Sequence, residues 1–436
     1  MAKAQRRELA GGLVLRHVEG EADVEGVACL AGEAFGQDVA SFARNLCRHY
    51  PGLDLAHYLI IEDPARPPSP GTPVVATLCL IPQTWRLAGV TLPVAEVGVV
   101  ATDPRYRGRG LQRTLLAEFD RVARASGYAL ACLLGIPGFY SRFGYFFASP
   151  ADDSASLPVA TALQAIEDDP LRDRSRVFGV RPCLRSDLSA VRQLWEEENG
   201  RYVLRAARSE DLWEYLLRLD QSDSPGKRYV ITEGDRVAGA FGFWSGPGRQ
   251  ALFEVVSPDR DVALEAIRFA AASATAAGTA TLLLRVAEDG PVRTAALSVG
   301  GREEPNYGWQ VKLLDRPALI RALAPVLEER LAASPFRSLA VPLVIDLYSS
   351  RLVLSWTGGR LAGVREETTV AAPPAADLSR HGRVRLPEDA FTQLVLGYRT
   401  IGDLARERCD IRALRGHRDL LATLFPRLPA WLEPWY

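Results

Sequence analysis

The residues best suited to chemistry are Arg105-Tyr106-Arg107-Gly108-Arg109-Gly110, followed at once by Leu111-Gln112-Arg113. Two glycines so close together remove the Cβ atoms that would hold a ligand off the backbone. If a helix begins at Leu111, its first amides are free and the positive end of the helix dipole lies behind them. Three arginines add charge-assisted donors. A diphosphate fits that description. The alternative is an ordinary surface turn with solvated arginines. A second cluster, Tyr140-Ser141-Arg142-Phe143-Gly144-Tyr145, offers a phenol that could donate a proton. The alternative there is that Tyr140 simply packs with Phe139, Phe143, Tyr145, Phe146 and Phe147.

The flanking elements favour the loop as a site. Val97 to Thr102 is an apolar run of strand length, stopped by Asp103-Pro104, since proline cannot continue a hydrogen-bonded ladder. From Leu111 the period changes: Leu111, Leu115, Phe119, Val122 and Ala123 fall on one face of a helix. Gly127 ends it, and Tyr128 to Leu134 is a second apolar strand. A dinucleotide-type GxGxxG is excluded, because Gly108-Arg109-Gly110-Leu111-Gln112-Arg113 lacks the third glycine; no GxxxxGK[ST] occurs at this loop.

Strand, basic glycine turn, helix and strand together resemble the acetyl-CoA site of the GNAT acetyltransferase superfamily, whose Arg/Gln-x-x-Gly-x-Gly/Ala pattern is filled by Arg105, Gly108 and Gly110. The YxRFGY segment from Tyr140 resembles the enhanced intracellular survival (Eis) branch. The resemblance implies that Val100, Ala101 and Thr102, on a strand splayed from its neighbour, hold the pantetheine arm and thioester of acetyl-CoA. It gives the diphosphate to the amides of Gly108, Arg109, Gly110, Leu111, Gln112 and Arg113, and the far wall to Gly135 and Ile136. Tyr140 becomes the general acid. The base would be the free carboxylate of Tyr436, reaching back into the cleft, with Glu96 and Asp38 as alternatives. By the same analogy Phe35-Gly36-Gln37-Asp38 lies on the acceptor side, and family members assemble into hexamers.

Composition is consistent with an enzyme of several domains. The chain has 436 residues, 47% hydrophobic and 24% charged, enough to bury cores and without a disorder signature. A net charge of −1 argues against a dedicated nucleic-acid binder. Cys29, Cys47, Cys79, Cys132, Cys183 and Cys409 form no CxxC pair, and His17, His49, His57, His381 and His417 form no spaced pair, so no metal site is expected. MAKAQRRELAGG has no apolar segment behind its basic residues and is not a secretory signal. Phe269 to Leu284 is broken by Gly278 and reads as helix then strand, not a membrane span. A cytoplasmic protein is expected.

Along the chain, an α/β (α+β) fold is expected. The first unit, 1–150, has strands at Leu13–His17, Tyr58–Glu62, Pro73–Pro82 and a hairpin around Ala88-Gly89, with helices at Ala22–Ala34 and Val39–His49. Residues 151–180 read as polar and irregular, the later part a linker. A similar order of elements then restarts, making 151–316 a second GNAT-like unit. There the turn before the helix is Ser257-Pro258-Asp259-Arg260-Asp261, with no glycine and two acids. It should not bind the cofactor. From Pro317 the pattern changes, and 317–436, with LPEDAFTQLVLGY, resembles the sterol-carrier-like third domain of the Eis branch.

The expected function is acetyl transfer to a primary amine by direct attack, the acceptor being a small molecule such as an aminoglycoside or polyamine, or a lysine side chain. The alternatives are transfer of a longer acyl group, and a non-catalytic acyl-CoA sensor or lipid-binding protein.

Overall fold

The computed structural model describes residues 5–66, 72–150, 153–220, 222, 224–246, 248–287, 289–304, 308–368 and 383–433. The first stretch carries β1 (Arg7–Glu8), β2 (Val14–His17), α1 (Glu21–Phe35), α2 (Gln37–His49), β3 (Tyr58–Glu62), β4 (Val74–Leu87), β5 (Val90–Thr102), α3 (Leu111–Ala125), β6 (Leu130–Leu133) and β7 (Phe146–Ser149). The second begins with β8 (Asp153–Pro158), α4 (Val159–Glu167), β9 (Phe178–Pro182), α5 (Leu188–Asn199), β10 (Leu204–Ala207) and α6 (Glu210–Asp220). It continues through β11 (Gly226–Glu233), β12 (Arg236–Gly246), β13 (Arg249–Val256), α7 (Arg260–Ala276), β14 (Thr281–Val286), α8 (Pro291–Ser298), β15 (Arg302–Glu304) and β16 (Trp309–Leu313). The third has α9 (Arg316–Ala322), α10 (Ala324–Ala332), β17 (Leu343–Asp346), β18 (Ser350–Thr357), β19 (Arg360–Thr368), β20 (Arg383–Arg385), α11 (Glu388–Val395), α12 (Ile401–Glu407), α13 (Arg415–Leu424) and β21 (Ala430–Trp431).

These strands form three mixed sheets. The first runs β1-β2-β3-β4-β5-β6-β16-β7, the second β15-β8-β14-β13-β12-β11-β9, the third β19-β18-β17-β20. The first two exchange strands. β16, from the end of the second stretch, inserts between β6 and β7, Val311 lying opposite both Cys132 and Phe146. Reciprocally β8, which follows β7 in the chain, inserts between β14 and β15. The expected irregular segment after residue 150 is therefore a strand and a helix over 153–167. Leu157, Val159, Ala162 and Ile166 are buried, so their apolar spacing outweighs the polar residues around them.

Two expected hairpin pieces merge into long strands. β4 and β5 span 14 and 13 residues and turn at Ala88-Gly89, both at positive φ (48° and 85°), the geometry that suits the twist of a two-residue hairpin. The upper part of β4 also pairs with β10, which in turn carries β21 from the end of the described chain. All three stretches thus meet at one sheet edge.

One face of β4 takes two covers. Cys79 and Ile81 pack with α1 and α2 residues such as Val27, Ala31 and Leu46. Trp85 and Leu87 pack with Trp309 and the third stretch's Leu319, Leu327 and Phe391. The opposite face, with Leu78, Leu80, Ala95 and Val97, is covered by α3 through Leu115, Phe119 and Val122. No helix among the described residues is long and apolar enough to cross a membrane.

Candidate active site

β5 and β6 run parallel for only three pairs, Val94–Leu130, Ala95–Ala131 and Glu96–Cys132. Beyond Glu96 the ladder ends, and Val97 to Thr102 continue β5 without a β6 partner, a parting termed the wedge. The cause is local. Val99 sits at φ 49°, a conformation costly for a β-branched residue, and the β4–β5 register slips between Thr77 and Cys79 opposite it. Gly98 permits the bend, because a Cβ there would lie 2.4 Å from Cδ1 of Ile81.

The glycine loop joins the end of β5 to the start of α3. Gly108 and Gly110 adopt φ of 77° and 76°, and a Cβ on either would project into open space. Gly110 is the N-cap of α3 and supplies no side-chain acceptor. The first ladder bond is Thr114 N–H to the Gly110 carbonyl at 3.1 Å, which leaves the amides of Leu111, Gln112 and Arg113 outside the helix ladder. Asp103 anchors the approach: the Arg105 guanidinium donates to it twice and its backbone N–H once, and Arg66 donates once, at 2.8–3.1 Å. The Arg105 hydrogen bond is the main reason the Asp103 carboxyl is held down to about 2. The Arg109 guanidinium lies 4.7 Å over the Tyr106 ring and that of Arg113 5.4 Å over Phe143, so both cations border the loop.

Not every residue named from sequence offers its side chain. Leu111 is buried in the α3 core. Gln112 turns inward, its Nε2 donating to the Ala101 carbonyl at 2.8 Å and Thr102 Oγ1 at 2.9 Å, and so ties the helix start to the wedge strand. Ala101 is buried, whereas Val100 and Thr102 are half-buried. Across the wedge, Ile136 is 69% exposed, and the Gly135 carbonyl accepts from Gln310 of β16 at 2.7 Å. Tyr140 begins a short 3-10 turn at the end of this wall, buried edge-on to Phe139 and Tyr145. Tyr436 lies outside the described residues. Asp38 is exposed at the start of α2.

Glu96, named only as an alternative base, is fully buried at the apex of the wedge. Gln83 of β4 donates to it through Nε2. Beside Gln83 is a cavity of about 230 Å³ lined by Tyr50, Tyr128, Arg208, Leu212 and Glu433 among others. Sequence reading missed Gln83, Arg208 and Glu433, which meet only because β10 and the end of the chain return to β4. Burial, and next the Glu254 charge, hold the Glu433 carboxyl well above the ordinary carboxylate range; Trp195 Nε1 donates to it at 3.0 Å.

The second stretch repeats this plan with its pocket closed. Glu254 on β13 has φ 48°, the counterpart of Val99, but its carboxylate accepts from Arg208 and Arg228 at 2.5 and 3.0 Å. The Arg208 guanidinium lies 4.9 Å over the Trp195 ring and 4.8 Å over the Trp213 ring. The space left there is about 20 Å³, room for a water and not for an extended ligand. At the start of α7 the Asp259 carboxylate caps the Val262 amide at 3.0 Å, where α3 has the bare Gly110.

Residues 15–148 match the acetyltransferase (GNAT) domain family. This part of the chain is similar to GNAT acetyltransferase domains. The N-acetyltransferase Eis of Mycobacterium tuberculosis is 30% identical over 203 residues, 45% of this chain and 48% of the relative. The chain thus spans about half the length of the curated relatives it matches. Among solved structures, a GCN5-related N-acetyltransferase from Kribbella flavida aligns with TM-score 0.60 at 18% identity, over 97% of this chain and 98% of that one. Eis1 from Mycobacterium abscessus aligns with TM-score 0.57 at 16% identity, over 96% and 97%. These two likenesses establish the shared fold. Within the matched residues, the wedge, the bare helix start and the glycine loop occur together. Among the described residues no group of three or more His, Cys, Asp or Glu could hold a metal ion.

Proposed function

We propose that this protein is an acetyl-CoA-dependent N-acetyltransferase acting on a primary amine. Residues 1–150 form the cofactor-binding unit, 151–316 a second GNAT-like unit without cofactor, and 317–436 a sterol-carrier-like unit. The observation that carries the reading is the parting of β5 from β6 immediately after Glu96, with the glycine loop at the end of β5. Residues present fit a diphosphate: two glycines at positive φ open onto solvent, beside three helix-start amides free of the ladder.

Acetyl-CoA, when bound, supplies an acetyl group on a thioester. The amides from Gly108 to Arg113 bind its diphosphate, the backbone of Val100, Ala101 and Thr102 lines the arm, and Gly135 and Ile136 form the far wall. Tyr140 donates its phenolic proton to the departing sulfur. Glu96 takes the proton of the acceptor's ammonium, directly or through a water. What supports Glu96 is its burial at the apex, next to the cavity that Gln83 lines. The Tyr436 carboxylate is the rival acceptor named from the sequence.

The cavity's volume of about 230 Å³ falls below the roughly 300–1,000 Å³ of sites for drug-sized ligands. That favours a slim aliphatic amine, a polyamine or a lysine side chain, over a bulky aminosugar. A thiol-release assay with acetyl-CoA and a panel of amines tests the reading. Turnover with at least one amine is expected; acetyl-CoA binding without turnover on any of them favours the sensor alternative.

A further inference from the structure

Gln83 lies on the β4 face between its two covers. α1 and α2 cover the face at Cys79 and Ile81, and the third stretch covers it at Trp85 and Leu87. Ile81 is directly opposite Glu96, so Gln83 is its diagonal neighbour on the same face. The Gln83 amide has two ends that differ chemically, and what sets them is Trp85. The Trp85 indole N–H can only donate, and it is 3.2 Å from Gln83 Oε1. With the oxygen thus engaged, the amide nitrogen must face Glu96, and it donates there.

We infer that Gln83, locked by Trp85, is a positioning residue that holds Glu96 in its charged, proton-accepting form. The inference rests on Glu96 as the base proposed above. A donor aimed at a carboxylate favours the ionised state. Were the amide reversed, its oxygen would face the carboxylate and favour the protonated acid instead. The lock is itself supported. Trp85 packs edge-on against Trp309, with ring centroids 6.2 Å apart, and the Trp309 indole donates to the Leu432 carbonyl at 2.6 Å. The base is therefore tied through two indoles to the segment that follows β21.

Other titratable groups also face Glu96. Tyr50 from the end of α2, Cys79 of β4 and Cys132 of β6 all feel its charge, and burial holds each of their protons more tightly than usual. Arg208 and Glu433, which face the cavity from the second and third stretches, are engaged with Glu254 and Trp195.

The test is the pH dependence of kcat for wild type, Trp85→Phe, Gln83→Met and Glu96→Gln, with thermal melting to confirm folding. Trp85→Phe keeps a smaller aromatic ring in the core and removes the N–H that orients the amide; Gln83→Met keeps length and removes the donor. In both, the acidic limb should move up by about one pH unit and kcat below it should fall about tenfold, for loss of one hydrogen bond to a charged group. KM for acetyl-CoA should be unchanged. A role in packing alone would lower the melting temperature and leave the limb in place. If Glu96→Gln abolishes the limb while the other two variants leave it unmoved, the inference is overturned and Glu96 stands as base. If Glu96→Gln turns over like wild type, the reading beneath it falls as well.

Discussion

The Tyr140 ring lies directly against the α-carbon of Gly135. A Cβ built on Gly135 would come within 2.3 Å of Tyr140 Cε2 and 2.6 Å of Leu133 Cδ1. Only glycine lets the aromatic turn fold back onto the end of β6. Gly135→Ala should displace the ring and lower kcat, with a modest loss in melting temperature. Tyr140→Phe leaves the ring in place and removes the proton. It should keep acetyl-CoA affinity and lower kcat by about 10²-fold, measured by steady-state thiol release; an unchanged rate removes Tyr140 from the mechanism.

The glycine loop invites a graded test. Gly110→Ala meets no neighbouring atom, so its cost is the left-handed backbone alone, about 1–2 kcal/mol. Gly110→Glu adds a negative charge where a diphosphate must dock. Calorimetry with coenzyme A should show a small loss of affinity for the first and abolished binding for the second. Equal affinity in both would move the cofactor elsewhere.

Stoichiometry separates the two repeats. With Asp259 filling the start of α7 and the Arg208–Glu254 pair filling the pocket below, coenzyme A should bind at one equivalent per chain. Asp259→Ala removes the cap and its contact with Arg176, costing about 1 kcal/mol of stability. The stoichiometry should remain one, because the pocket stays closed. Two equivalents in wild type would contradict the reading of the second unit.

Glu433 predicts a pH-dependent stability. Its folded carboxyl sits above the ordinary carboxylate range, so between the unfolded and folded values the native state holds a proton that the unfolded state has lost. Stability from this group is full below the unfolded value and falls as pH rises through the folded one. Glu433→Gln removes the titration. Urea unfolding at several pH values should show the variant gaining on wild type as pH rises above the ordinary carboxylate range; parallel curves would contradict the assignment.

How much of this was legible in the sequence depended on chain separation. Residues 97–145 carry their own signals: a proline stop, a change of period at Leu111 and paired glycines, all within reach of one another. The wedge at Val99 left no such mark, because a valine at positive φ is held by its surroundings and nothing in its type announces it. Strand β8 was hidden by polar neighbours. β16 was hidden because its partners in β6 and β7 lie more than a hundred residues earlier. Glu96 was visible as an acid but not as the acid at the apex; that depended on where β6 stops pairing. Gln83 and Glu433 had no motif at all, since what gives them a role is the return of β10 and β21 to the edge of β4.

The exchange of β8 and β16 also bears on the order in which the chain can finish folding as it leaves the ribosome. When Ser149 has emerged, the first sheet still has an unfilled slot between β6 and β7, with both inward edges unsatisfied. That slot closes only after Trp309–Leu313 has been synthesised. A fragment ending near residue 150 would expose those edges to other chains and aggregate, so the first unit cannot be separated from the second by simple truncation.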